Sequence, residues 1–165
     1  MHTLLSITDC SKEEAGDDIY LVEVAVSALV SLTLFGPFPD LKFASQDMLI
    51  SRFLNHLPIQ QDDDEAKVCH AGLCHLIESG RINLSDEAVR VTQIIGNILS
   101  DVEEGEEIAT PETCERLTAA LQAMGNELPP AMMQHAYNSL GADAQNAIAM
   151  AMQELARTRT NLVTP

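Results

Sequence analysis

Two cysteine–histidine pairs near the middle of the chain, Cys69-His70 and Cys74-His75, carry the residue types of a metal site. His70 and Cys74 are four positions apart, so they share one face if the segment is helical. A structural zinc site needs about four ligands, however, and no second set with ligand spacing is evident. Cys69 and Cys74 also fall on the apolar side of the predicted helix, where cysteine packs as a small hydrophobic group. We therefore predict packing at these pairs, and neither a metal nor a cofactor.

Sequence motifs of covalent catalysis are not evident. The five histidines are scattered, and neither a Gly-x-Ser-x-Gly turn nor a glycine-rich phosphate loop occurs. Catalytic sites can be assembled from distant residues, so this lowers the odds of an enzyme without excluding one. We predict a protein that is not an enzyme, with a small helical enzyme or metal protein as a distant alternative.

Acidic residues form two dense runs, at 62–65 and 101–107, that are the candidate binding residues. Their carboxylates would pair with Lys and Arg of a partner protein. The predicted partner-binding residues are Asp62, Asp63, Asp64, Glu65, Glu103, Glu104, Glu106 and Glu107. A plainer interpretation competes, because acids favour the start of a helix and an acidic loop is well solvated. One exposed ion pair contributes about 0–1 kcal/mol, so only several together would hold a partner.

The overall charge indicates the same kind of partner. The chain has 25 acids against 9 bases, which gives a formal net charge of −16. Phosphate contacts need clustered Lys and Arg, so this balance argues against nucleic-acid binding. An acidic protein attracts basic partners and speeds their arrival, although the charge could equally serve only solubility.

The chain shows no sign of export or of a membrane span. Its start, at residues 1–5, lacks a basic region and a long apolar run, and its cysteines form no CxxC pattern. Reduced thiols in the cytosol or nucleus are therefore expected. The apolar stretch 19–35 is marginal for a span at 17 residues, and Glu23 within it is costly in lipid. We predict a buried helix there and no membrane association.

The elements that position these residues are helices. About 46% of the chain is hydrophobic, and Leu, Ile, Val, Ala and Met outnumber the six aromatics, which favours helices over sheets. Apolar spacing predicts six or seven helices, with no convincing strand, and pairs them in succession. The predicted pairs are 17–35 with 45–57, 63–79 with 86–100, and 112–125 with 131–156. Each pair occupies about 40–47 residues, the period of HEAT repeats, although a compact bundle would satisfy the same pattern.

Boundary residues support these helices. Ser85 is a plausible N-cap for the fourth helix, and Thr110 followed by Pro111 begins the fifth. Gly80 is a C-terminal stop for the third. The predicted organisation is therefore an irregular segment at 1–16, helical repeats at 17–157 and a flexible tail at 158–165.

Three segments in the first half of the chain resemble one family. The segment 45–58, SQDMLISRFLNHLP, resembles the L-P-x-x-L-x-x-L-P helix near the C-terminus of importin-β-type nuclear transport receptors. Residues 63–66, DDEA, and 73–78, LCHLIE, then resemble the D-x-x-E-A and L-C-x-L-I-E motifs of the importin-5 and importin-4 branch.

Three further segments resemble the same receptors in the same order. Residues 25–29, AVSAL, match the N-A-x-S-A-L helix, although Glu23-Val24 stands where the family usually has Asp-Asn. Residues 91–99 fit the L-P-x-I-x-x-I-x-A helix, and 140–148 resemble the closing L-x-x-E-Q-Q-x-A-L helix. The resemblance covers 17–157, and the ordered set is more specific than any one motif.

The resemblance implies an all-α fold, an α-solenoid of about three HEAT-like hairpins in an armadillo-like superhelix. It implies the cargo-binding part of a nuclear import receptor, present in cytoplasm and nucleus, that binds basic cargo proteins with import signals. Ran would bind only through N-terminal repeats that have no counterpart here. The alternative is a helical scaffold or adaptor unrelated to transport. Three repeats are near the lower limit of stability, so we expect marginal stability or self-association through uncapped ends.

Overall fold

A computed structural model describes residues 6–8, 18–35 and 45–163 of the chain. Within these ranges all regular structure is helical and no strand occurs, which confirms the all-α prediction. Seven helices lie within residues 18–35 and 45–163: α1 (Ile19–Phe35), α2 (Gln46–His56), α3 (Asp63–Glu78), α4 (Leu84–Glu103), α5 (Pro111–Glu127), α6 (Pro130–Asn138) and α7 (Ala142–Val163). The predicted helix start at Asp17 and the predicted stop at 36–39 lie outside the described residues.

Side-chain caps fix where the helices begin. Thr110 caps α5 as predicted: its hydroxyl oxygen accepts a hydrogen bond of 3.2 Å from the Thr113 N–H, and Pro111 is the first helical residue. The predicted cap of α4 at Ser85 is wrong. Asn83 caps that helix, because its side-chain oxygen accepts a 3.2 Å hydrogen bond from the Ser85 N–H, which draws Ser85 itself into the first turn.

The helices end partly as predicted. Gly80 follows α3 with φ +66°, in the left-handed region that glycine adopts without strain, and so acts as the predicted stop. α7, in contrast, continues to Val163, past the predicted end at Arg157. No Gly or Pro interrupts residues 142–163, so the helix takes up most of the stretch expected to be a flexible tail.

The apolar stripes predicted from helical spacing form one continuous core. Phe53 of α2, Leu73 of α3, Ile95 of α4 and Leu117 of α5 are fully buried within it. α7 adds Ile148 at its side of the same core. The periodicity therefore identified the buried face of each of these helices.

Two alternate helices, α1 and α3, lie side by side and run parallel. Near their N-terminal ends, the Asp62 N–H donates a 2.9 Å hydrogen bond to the Glu23 carboxylate. At the C-terminal end, the Arg81 guanidinium donates a 2.5 Å hydrogen bond to the Thr33 carbonyl oxygen of α1. Arg81 thereby satisfies a carbonyl that the last turn of α1 leaves without a helical partner.

Helix α5 extends this parallel arrangement beyond α3. The Cys74 thiol donates a weak 3.8 Å hydrogen bond to the Thr113 carbonyl oxygen. Further along both helices, Arg116 pairs with Glu78 at 2.7 Å. Because α3 and α5 advance together, α1, α3 and α5 form one parallel layer.

The remaining helices pack around this layer. α2 packs on α1, α6 on α4 and α5, and α7 on α4 and α5. The predicted pairing of α3 with α4 is not among the closest backbone approaches in the described chain, since α3 lies between α1 and α5. Gly96 helps to bring α4 onto α7 instead: an added Cβ there would lie 3.2 Å from the Ala144 Cβ.

Candidate protein-binding surface

The two acidic runs, which are far apart in sequence, lie next to each other in the fold. The Gln60 amide, just before the first run, donates a 2.7 Å hydrogen bond to the Asp101 carboxylate at the start of the second. Lys67 of α3 lies 3.9 Å from Glu107 in a weak ion pair. The start of α3 and the loop from α4 to α5 thus form one surface, which we call the acidic edge. It consists of Asp62, Asp63, Asp64, Glu65, Glu103, Glu104, Glu106 and Glu107.

Members of the acidic edge differ in their availability to a partner. Asp62 caps α3, with its carboxylate accepting 3.1 Å hydrogen bonds from the N–H groups of Asp64 and Glu65, so it has a structural role. Glu65 is half-buried. The exposed members are Asp63, Asp64, Glu103, Glu104, Glu106 and Glu107. The helix-start interpretation therefore accounts for Asp62, while the other carboxylates extend into solvent.

A fully buried histidine joins the two halves of the acidic edge from beneath. The His70 Nδ1 lies 2.8 Å from the Ile108 carbonyl oxygen, and its Nε2 accepts a 3.2 Å hydrogen bond from the Ile59 N–H. Because Nε2 accepts, Nδ1 carries the proton and donates it, so this arrangement fits the neutral imidazole. His70 thus links the loop before α3 to the loop before α5.

A buried carboxylate fixes the first of these loops. Glu23 of α1, only 1% exposed, accepts hydrogen bonds from three consecutive backbone N–H groups. They come from Gln60 at 3.2 Å, Gln61 at 3.2 Å and Asp62 at 2.9 Å. Charge-assisted hydrogen bonds of this kind compensate for burial of the carboxylate. The residue that argued against a membrane span therefore holds the backbone at the start of α3.

The cysteines of the two Cys-His pairs pack in the interior. Burial raises the pKa of the Cys69 and Cys74 thiols to about 12, so the thiolate that binds metals is disfavoured. His75 instead lies 3.4 Å from the Arg116 guanidinium. No group of three or more metal-ligating side chains comes together in the described part of the chain. Cys10 lies outside it.

Arg116 and Glu78 form a close ion pair between α5 and α3. The guanidinium donates two hydrogen bonds to the carboxylate, from Nε at 2.8 Å and from Nη2 at 2.7 Å. Hydrogen bonding from Arg116 lowers the pKa of Glu78 below its ordinary value. This paired geometry ties the C-terminal end of α3 to α5.

A concave acidic surface continues the edge toward α7. Glu103 and Glu104 line a cavity of about 280 Å³ together with Asp143, at the start of α7. Ser100 and Asn146 complete the lining, so every residue that lines the cavity has a polar or acidic side chain. Sequence reasoning missed Asp143, because only the packing of α4 on α7 brings it beside the second run.

An apolar face on α1 is the other unusual surface. Tyr20, Leu21 and Val24 are about half exposed, and Phe35 is 83% exposed. The opposite side of the helix packs on α2 and α3. Among the described residues, no helix is long and apolar enough to cross a membrane. The prediction of a buried helix at 19–35 is therefore correct for one side of α1 only.

No protein-family model, curated protein or solved structure is significantly similar to this chain. The resemblance to importin-β-type receptors thus depends on the sequence motifs alone.

Proposed function

We propose that this chain is a protein-binding segment whose acidic edge binds basic segments of other proteins. The observation that supports this most is the meeting of two acidic runs on one surface, with six exposed carboxylates. A single exposed pair would contribute about 0–1 kcal/mol, but several acting together could hold a Lys/Arg-rich segment. The net charge of −16 would add long-range attraction.

The backbone of the two loops beneath the acidic edge is already held in place, so these loops would not need to become ordered when a partner binds. Glu23 and His70 hold the backbone on both sides with five hydrogen bonds to main-chain groups. A surface that is already ordered loses less conformational entropy when a partner arrives. The carboxylates would therefore act from fixed backbone positions.

The biological context that we propose is protein import into the nucleus. The parallel layer of α1, α3 and α5 supports a HEAT-like solenoid, because equivalent helices of successive repeats stack side by side in such folds. Together with the importin-like motifs, this favours the cargo-binding part of an import receptor that acts in cytoplasm and nucleus. Ran would bind through repeats that this sequence does not contain.

A scaffold or adaptor unrelated to transport is the second candidate. The exposed apolar face of α1 favours it, since exposed apolar surface on a helix is typical of an interface with another protein. This face would also be a surface for the self-association that the sequence led us to expect. The two candidates differ in whether charge or apolar contact dominates binding.

Fluorescence anisotropy with a labelled basic import-signal peptide would test the acidic edge. We expect binding that weakens steeply with salt, because the proposed contacts are exposed ion pairs. The triple variant E103Q/E104Q/E106Q should bind about 5- to 30-fold more weakly, from three pairs at up to about 0.7 kcal/mol each.

A matched variant separates local contacts from total charge. D18N/D47N/E127Q removes the same charge from exposed positions outside the edge, and its affinity should change less than threefold. Equal weakening in both variants, or affinity that does not respond to salt, would contradict binding at the acidic edge.

A further inference from the structure

A groove of about 240 Å³ lies between α5 and α7, and its first lining residue, Pro111, follows the acidic edge closely in sequence. The first two turns of α5, which form one wall of the groove, follow the loop that carries Glu106 and Glu107. The groove is lined mostly by apolar surface, from Pro111, Cys114, Glu115, Thr118, Ala151, Glu154, Leu155 and Thr158. It is open to solvent and large enough to take one aliphatic side chain.

The polar groups in the lining are largely occupied within their own helices. The Thr118 hydroxyl donates a 2.8 Å hydrogen bond to the Cys114 carbonyl oxygen. The Thr158 hydroxyl donates one of 3.1 Å to the Glu154 carbonyl oxygen. Neither hydroxyl needs a ligand as its partner, so the groove offers little to a polar occupant.

The charges around this groove select the kind of occupant. Glu115 and Glu154 are exposed at its sides, and Glu154 has a weak partner in Arg157 at 3.5 Å. Glu112, also exposed, follows Pro111 in the first turn of α5. An apolar centre with carboxylates around it complements an aliphatic side chain flanked by Lys or Arg. A second copy of this chain would fit the groove less well, because its net charge of −16 would be repelled by these carboxylates.

We propose that the groove binds an aliphatic anchor, such as Leu, of the same basic segment that the acidic edge binds. This inference depends on the proposed function, because the edge supplies most of the attraction and the groove adds selectivity. The edge alone would accept any cationic segment. With the groove, segments that carry an aliphatic residue among their bases are preferred.

Two labelled peptides test the preference: a nonapeptide of Lys and Arg with one central Leu, and its counterpart with Ser. We expect the Leu peptide to bind the full chain about tenfold more tightly, from burial of one aliphatic side chain in the groove. Leu155→Gln, in the groove, should reduce the preference to less than about twofold. Met150→Gln is the control, because Met150 is 56% exposed on the same helix and lines no part of the groove.

Photo-cross-linking gives a second measurement that needs no variant. A peptide with photo-leucine at the central position should label residues 151–155 or 114–118, and mass spectrometry would locate the adduct. Thermal melts of both variants would show whether Leu155→Gln still folds.

The outcomes separate the groove from the edge. Equal affinity of both peptides, with the loss in E103Q/E104Q/E106Q intact, would overturn the groove and leave the acidic edge standing. Failure of both peptides to bind would overturn the proposed function itself. Adducts elsewhere, or sedimentation showing that Leu155→Gln changes self-association and not peptide preference, would also overturn the groove as an anchor site.

Discussion

Replacing Glu23 by Gln tests how the acidic edge is supported. The carboxylate accepts three backbone hydrogen bonds, two at Oε1 and one at Oε2. Glutamine can keep the two at its carbonyl oxygen, but its amide group would then face the Asp62 N–H. Two donors would confront each other in a part-buried position, and the charge that strengthens the other bonds would be lost.

The expected cost follows from these contacts. One unsatisfied N–H costs about 1–3 kcal/mol, and a hydrogen bond to a neutral acceptor is weaker by about 1 kcal/mol than one to a charged acceptor. With one N–H left unsatisfied and two hydrogen bonds weakened, we expect Glu23→Gln to lower the free energy of unfolding by about 3–5 kcal/mol. Urea denaturation followed by circular dichroism would measure it.

The control for Glu23→Gln is a nearby carboxylate that is exposed to solvent. Asp63→Asn removes an exposed carboxylate close by, and its effect should stay within about 0.5 kcal/mol. If Glu23→Gln were no more destabilising than Asp63→Asn, the three hydrogen bonds would not hold the loop in the way we describe. Unchanged peptide affinity in a folded Glu23→Gln protein would further show that the edge does not need this support.

Two further predictions concern contacts of α3. Gly72→Ala should destabilise the protein by about 1–2 kcal/mol, because the added Cβ would lie 2.6 Å from the Val30 Cγ2. In a Val30→Ala background, where this clash is gone, the same substitution should stabilise the protein by up to about 1 kcal/mol. Gly125→Ala is the control and should also stabilise by up to about 1 kcal/mol, because nothing lies within 4 Å of the added Cβ. A cost that persists without the valine would refute the steric cause. The lowered pKa of Glu78 adds stability above its ordinary value of 4.5, and that stability is lost as pH falls through the folded-state pKa. Glu78→Gln should lower the free energy of unfolding by less than about 1 kcal/mol at pH 7, because the side chain is half exposed. The difference in urea midpoint between this variant and the original chain should vanish in acid. A difference that persists in acid would contradict a lowered pKa of Glu78 in the folded state.

The helices were predictable because each carries its own signals. Apolar residues at helical spacing identified the buried faces, and Thr110-Pro111 and Gly80 identified two ends. The error at Ser85 is instructive, since Asn83 and Ser85 are both good caps and only the observed hydrogen bond separates them. Local chemistry therefore predicts where helices lie better than which of two nearby polar residues caps them.

The contacts that assemble the acidic edge were not predictable from spacing. The sequence presented His70 as a possible metal ligand and Glu23 as an obstacle to membrane insertion. Each acts instead through backbone groups 11 to 39 positions away. Backbone donors and acceptors belong to every residue type, so no pattern of side chains marks them. A buried polar residue in an apolar stripe is the available signal, and it predicts a partner without naming it.

The buried imidazole of His70 has a consequence for how the protein opens. Surface loops commonly exchange their amide hydrogens through small local fluctuations that leave the rest of the fold intact. Here the Ile59 N–H ends on a ring whose other nitrogen holds the Ile108 carbonyl, and that ring is carried by the middle of α3. We therefore expect the two loops to open only when α3, which lies between them in sequence, also unfolds. The Ile59 amide should be protected from exchange as strongly as the core of α3, although it belongs to a loop.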